Sequence, residues 1–141
     1  MTTAKETVKS LKTTVRNAKM WFLRSTEAKS RSDFRTAKKL GDNGSGAVYV
    51  FFSKDKALKA LKALYVGQSR RHFKRRLYDQ TSPHKKKKWW RKWDEVRFMQ
   101  VQHQTDRIVL ELLLILALQP EFNLNPAKRM VNKMFGIEDS S

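Results

Sequence analysis

The amino-acid sequence predicts an α+β domain in which a small, three-stranded, mainly antiparallel sheet is flanked by helices. Residues 47–52 and 63–67 are β-branched and aromatic runs of strand length, and residues 95–101 alternate well enough for a third strand. A leading and a trailing segment are instead apolar at helical spacing. Strands and helices mixed in this way pack as layers around one core. At 141 residues with no evident linker, one compact domain is expected.

The first helix is read from Thr3 and Glu6, spaced as a capping box, and from Val8, Leu11, Val15, Ala18 and Phe22, which recur at three and four. Its opposite face is lysine. Residues 24–40 are polar with sparse apolar positions, and residues 41–46 (Gly-Asp-Asn-Gly-Ser-Gly) form a loop. That loop divides a basic helical N-terminal extension, residues 1–45, from a core at residues 46–125. Between the first two strands, residues 54–62 read as a long connection with some helical character. A helix containing Phe73 and Leu77 follows the second strand and ends near Pro83. After the third strand, a helix starting at Gln104 or Thr105 runs to about Gln119, where Pro120 stops it. Residues 126–141 are expected to form a short helix and a polar tail.

Charge narrows the function. Thirty-one Lys and Arg against thirteen Asp and Glu leave a net charge of +18, and residues 70–92 hold eleven cations against Asp79 alone. Such a field attracts a polyanion, and nucleic acid is the usual one, because neutralising phosphates releases condensed counterions. Cysteine is absent and the three histidines are scattered, so neither a disulfide framework nor a zinc cage is expected. The longest apolar run, residues 108–118, is too short to span a bilayer, and no secretory signal opens the chain. The expected setting is cytoplasmic, with no membrane partner and no small-molecule cofactor.

Glu111 interrupts that apolar run. A buried charge is costly, so such a group is neutralised, paired or bound to metal. One reading places Glu111 near the positive end of its helix, paired with Arg107 one turn back. The other reading comes from the surrounding spacing. Ala47-Val48-Tyr49, then Tyr65-Val66-Gly67, then an arginine-bearing segment Phe73-Lys74-Arg75-Arg76-Leu77, then Glu111 with Pro120 and Asn123 beyond it, stand in a recognisable order. Across residues 46–125 this resembles the GIY-YIG endonuclease family, and the Glu, Pro and Asn order is similar to the nuclease domain of the bacterial excision-repair incision protein. Departures exist too. The first element lacks its glycine unless Gly46 is counted one place early, sixteen positions separate Tyr49 from Tyr65, and Gln80 or Asp79 stands where relatives often have His or Tyr.

The resemblance implies metal-dependent hydrolysis of DNA phosphodiester bonds. Glu111 would hold one magnesium or manganese ion, and Arg76, or Arg75 in the alternative register, would hold the phosphate through its planar fork. Tyr49 would orient or deprotonate the attacking water, helped by Tyr65 and His84. Asn123 would orient the site or tie down the chain after the glutamate helix. With one such site per chain, a monomer that nicks one strand is expected, although the apolar stripe from Val8 to Phe22 leaves a homodimer open. Small free-standing nucleases of this kind are associated with phages and mobile elements, whose products act in the cytoplasm of a bacterial host. The competing reading is a catalytically inactive nucleic-acid-binding protein that keeps the fold.

Phosphate contacts are assigned to Arg70, Arg71, Lys74, Lys85, Lys86, Lys87, Lys88, Arg91 and Lys92. Interleaved with the last of these, Trp89, Trp90 and Trp93 have two readings. They stack on bases, or Trp90 or Trp93 belongs to the core and the others lie under lysine stems.

Overall fold

The computed structural model describes residues 2–32, 46–55, 57, 59–70 and 87–123. Most of the predicted loop before residue 46, the predicted arginine helix and the C-terminal helix and tail lie outside the described residues. Within them, helix α1 (Ala4–Ser25) leads to strands β1 (Lys29–Ser30), β2 (Ala47–Asp55) and β3 (Ala60–Ser69), a 3-10 turn (Lys88–Arg91), strand β4 (Glu95–Gln100) and helix α2 (Gln104–Leu118). The result is an α+β fold with a four-stranded antiparallel sheet in the order β1-β4-β2-β3.

The expected three strands are therefore joined by a fourth, β1. Two residues carry no periodicity to read. Lys29 and Ser30 pair with Val96 and Glu95 because arginines brace the chain around them. Arg31 donates to the carbonyls of Trp93 (2.9 Å) and Trp90, while Arg97 donates to those of Leu23 (2.9 Å) and Thr26 (2.7 Å). The basic segment before residue 46 thus supplies a strand and, through fully buried Phe22, a core side chain.

The connection at residues 54–62 is a second correction. The strands continue into it, pairing Lys54 with Leu61 and Asp55 with Ala60. Asp55 Oδ1 accepts from the Ala57 amide at 2.9 Å, an Asx-type turn that competes with a helix. Helical propensity is a weak prior, and strand pairing overrides it here.

Both helix boundaries have local causes. Thr3 Oγ1 accepts from the Glu6 amide at 3.2 Å to start α1. Helix α2 opens at Gln104 with His103 as its N-cap, and closes with Gln119 in the left-handed region (φ 49°) ahead of Pro120. Arg107, buried in its first turn, donates to the Val101 and Gln102 carbonyls at 2.9 and 2.7 Å and fixes how α2 leaves β4. Gly46, at φ +114°, sits where a Cβ would overlap Arg107.

Strand β2 is central and buried on both faces. Tyr49 and Phe51 face an aromatic layer with Leu64, Trp89, Trp93 and Val96. Val48, Val50 and Phe52 face the helices with Phe22, Val66, Leu114 and Ile115. Trp89 and Trp93 are 1% and 2% exposed, so these two belong to the core, and Trp90 packs half-buried beside them. Trp89 in particular was not expected there.

After α2 the chain returns along the outer edge of β3. The amides of Glu121 and Phe122 donate to the Ala63 and Leu64 carbonyls at 3.2 and 2.9 Å. Asn123, 2% exposed, then binds both backbone groups of Val66, accepting from its amide and donating to its carbonyl at 2.8 Å each. Replacing Asn123 with Ala leaves two buried backbone groups unsatisfied and should lower unfolding free energy by roughly 1–3 kcal/mol. Urea denaturation reads this directly; an unmoved midpoint would mean that the side chain does not hold the returning segment.

Candidate active site and nucleic-acid interface

The tyrosines sit on the aromatic face. Tyr49 pairs across the sheet with Gly67 on β3 and Phe98 on β4, and its ring centroid lies 6.3 Å from that of Tyr65. Tyr49 is 1% exposed and Tyr65 half-buried. The Tyr49 hydroxyl is directed over Gly67, where an added Cβ would fall 2.5 Å from the phenolic oxygen. Glycine at that position is therefore required by the ring and not by the backbone angle.

Glu111 approaches the same strand from the other side. It lies one turn after buried Arg107 and one before buried Leu114 and Ile115, on the sheet-facing side of α2. Gln68 pairs with Val48 and so shares the helix face, and its side chain hydrogen-bonds the Glu111 carboxylate. The alternative ion pair with Arg107 is not among the contacts of the described residues; Arg107 spends its guanidinium on carbonyls instead. The two tyrosines and Glu111 thus stand on opposite faces, but Tyr49 and Glu111 reach successive residues, Gly67 and Gln68, of one edge strand.

Burial raises the Glu111 pKa above the ordinary 4.5, with the Gln68 hydrogen bond opposing the shift. Among the described residues no group of three or more His, Cys, Asp or Glu gathers, so a cation at Glu111 would draw at most two ligands of these types from them. That suits a hard ion that keeps several waters and takes its remaining oxygens from a phosphate, as magnesium does. A desolvated carboxylate whose hydrogen-bond partner among the described residues is the neutral Gln68 side chain fits the role.

Asn123 is committed through both amide groups to Val66, on the strand that carries Gly67, and does not face a reacting group through them. Arg71, Lys74, Arg75, Arg76, His84, Lys85 and Lys86 lie outside the described residues. Arg70, Lys87, Lys88, Arg91 and Lys92 are exposed. The last four border the aromatic layer: Trp89 stacks on Tyr65 at 4.8 Å between centroids, and the Lys92 ammonium lies 5.3 Å over the Phe122 ring.

Two contributors went unread in the sequence, Gln68 and the steric role of Gly67. Period-two alternation from Tyr65 would have placed Gln68 on the face opposite the tyrosines. No helix among the described residues is long and apolar enough to cross a membrane. No family model, curated protein or solved structure matches the chain.

A raised carboxyl pKa means that the folded chain holds this proton more tightly than the unfolded one. Its stabilisation is full in acid and is lost as pH rises through the raised value. Glu111→Gln, which stays neutral, should therefore melt above wild type near neutral pH, with the difference closing as pH falls from the raised value towards 4.5. Melting curves across that range test it, and a Gln variant less stable at neutral pH would show that the carboxylate is held by a stabilising partner.

Proposed function

We propose that the chain is a DNA endonuclease of the GIY-YIG type, hydrolysing phosphodiester bonds with a divalent metal and nicking one strand per engagement. One observation carries the reading: from opposite faces of the sheet, the Tyr49 hydroxyl lies over Gly67 and the Glu111 carboxylate hydrogen-bonds Gln68, successive residues of an edge strand, with exposed Arg70 just beyond. Among the described residues, the segment from Glu121 to Asn123 covers that edge only as far as Val66.

Magnesium or manganese held by Glu111 would supply Lewis acidity at a phosphate oxygen and at the leaving oxygen. The chain's own groups do the rest. Arg76 or Arg75 grips the phosphate through paired N–H donors, which the geometry of a guanidinium favours over an ammonium. Tyr49 and Tyr65 orient the attacking water, with His84 assisting. A free phenol titrates near ~10, so a tyrosine acting as base needs nearby cations to favour phenolate. Arg70 and the cations at residues 87–92 contribute that field while they hold the backbone.

A second reading has an observation of its own. Tyr49 is almost wholly enclosed and lies across the sheet from Glu111, as an ordinary core aromatic would. Under that reading the chain binds nucleic acid and does not cut it.

Supercoiled plasmid incubated with and without magnesium separates the two. Wild type should produce open circles before linear DNA, whereas Glu111→Gln or a chelator should abolish cleavage with affinity nearly unchanged. Gly67→Ala, which displaces the Tyr49 ring, should cost about 10²-fold in rate, the scale expected for a misplacement of about 1 Å. Binding without any cleavage would leave the second reading in place of the first. Full activity of the Gln variant would remove Glu111 from the chemistry.

A further inference from the structure

Helix α1 carries two seams. The apolar one (8, 11, 15, 18, 22) turns towards α2 and the sheet at its C-terminal end, where Phe22 is fully buried. Towards the N-terminus it runs out of cover, and Val8 and Leu11 are 47% and 59% exposed. The second seam is cationic. Lys5, Lys9, Lys12, Arg16 and Lys19 recur at four, three, four and three, which at 3.6 residues per turn confines them to about 80° of arc. The first four are exposed and Lys19 is half-buried. The only acid on the helix is Glu6, about a quarter turn away from the seam.

We infer that this cationic seam of α1 is a second nucleic-acid contact, seating the helix along the phosphate backbone of a duplex. The inference rests on the nucleic-acid part of the proposed function but not on catalysis. Five charges over about 21 Å of helix meet a strand that presents one phosphate per ~3.4 Å of duplex axis. Charge complementarity selects this occupant. A second copy of a chain carrying +18 would bring like-charged seams together beside the exposed apolar residues. The contact is independent of the cations at residues 87–92, which border the aromatic layer, whereas α1 packs on the helix side of the sheet. A substrate held at both would be gripped beyond the reacting phosphate, which lengthens its stay without altering the chemistry.

The test uses the full chain with Lys5, Lys9, Lys12, Arg16 and Lys19 all replaced by Gln, a good helix former, and circular dichroism to check the helix. Affinity for a short fluorescent duplex is measured from about 50 to 200 mM salt, where each lost phosphate contact flattens the log–log slope by ~0.9. A fall of about 2 to 4 is expected. A control replacing Lys54, Lys59 and Lys62 of the β2–β3 hairpin by Gln measures the effect of net charge alone, and should change the slope by less than ~1. A flattening no larger per charge than in that control would overturn the inference. So would an unchanged duplex slope together with loss of binding to vesicles containing anionic phospholipid, which would assign the seam to a membrane surface. Wild type that binds no duplex overturns this inference and the proposed function together. Wild type that binds but does not cut, with the slope reduced in the variant, ends the nuclease reading and leaves the seam's role standing.

Discussion

The first six residues of strand β2 have no solvent face, and most of the architecture follows from that constraint. Every residue from Ala47 to Phe52 is buried, which alternation alone would forbid in a sheet with one wet side. Two different layers must cover it. Aromatic rings do so on one face, where Phe51 meets Trp89 at 4.7 Å and Trp93 at 5.1 Å. Phe22 of α1 and aliphatic side chains of α2 do so on the other. The difference is chemical as well as spatial. Rings bring polarisable surface and a phenol, while the helix side brings the one carboxylate among the described residues whose pKa is clearly displaced.

The candidate site lies at an edge because the centre of such a sheet is closed. Groups placed above and below β2 cannot meet through it. At β3, the last strand in the order, each face reaches its own residue of the edge strand, Tyr49 over Gly67 and Glu111 at Gln68, and nothing larger than hydrogen fits at residue 67 beneath the Tyr49 ring. The returning segment at residues 121–123 covers part of the edge and stops short of Gly67 among the described residues. Asn123 acts here as a surrogate strand residue: its amide offers one donor and one acceptor in the spacing a backbone would supply. Its contribution to a reaction would be to hold β3, and hence Gly67, in register under Tyr49.

The elements that could be read from sequence were those whose signal is local. β2 and β4 follow from β-branched and aromatic runs, α1 from Thr3 and its apolar repeat, and the end of α2 from Pro120. What could not be read depends on distant partners. Strand β1 exists because Arg31 and Arg97 reach carbonyls some 60 to 70 positions away in sequence. The β2–β3 hairpin runs through a segment whose Lys, Ala and Leu favour a helix, since pairing with the preceding strand outweighs them. Trp89 is in the core because a 3-10 turn, which has no amphipathic period long enough to recognise, rotates it onto Phe51 and Tyr65. For the candidate site, the residue types were legible and their faces were not. Spacing placed Tyr49, Tyr65 and Glu111 in one series, whereas strand register sets the two tyrosines on the side opposite the carboxylate.

Glu111 also bears on why so cationic a chain retains a desolvated acid. On stability grounds alone an apolar residue would serve α2 better, since burial penalises the ionised form and the hydrogen bond from Gln68 offsets that only in part. A local cost of this kind persists where the group does something that packing cannot, and sites of reaction are where such costs collect. In a field of +18 a carboxylate also gives a divalent cation somewhere to bind; without it, the same charges that attract a polyanion would repel the metal. Under the proposed function, the basic surface and the partly buried acid would be complementary parts of one electrostatic arrangement. The first would concentrate phosphate near the sheet edge, and the second would leave one position there open to a positive ion.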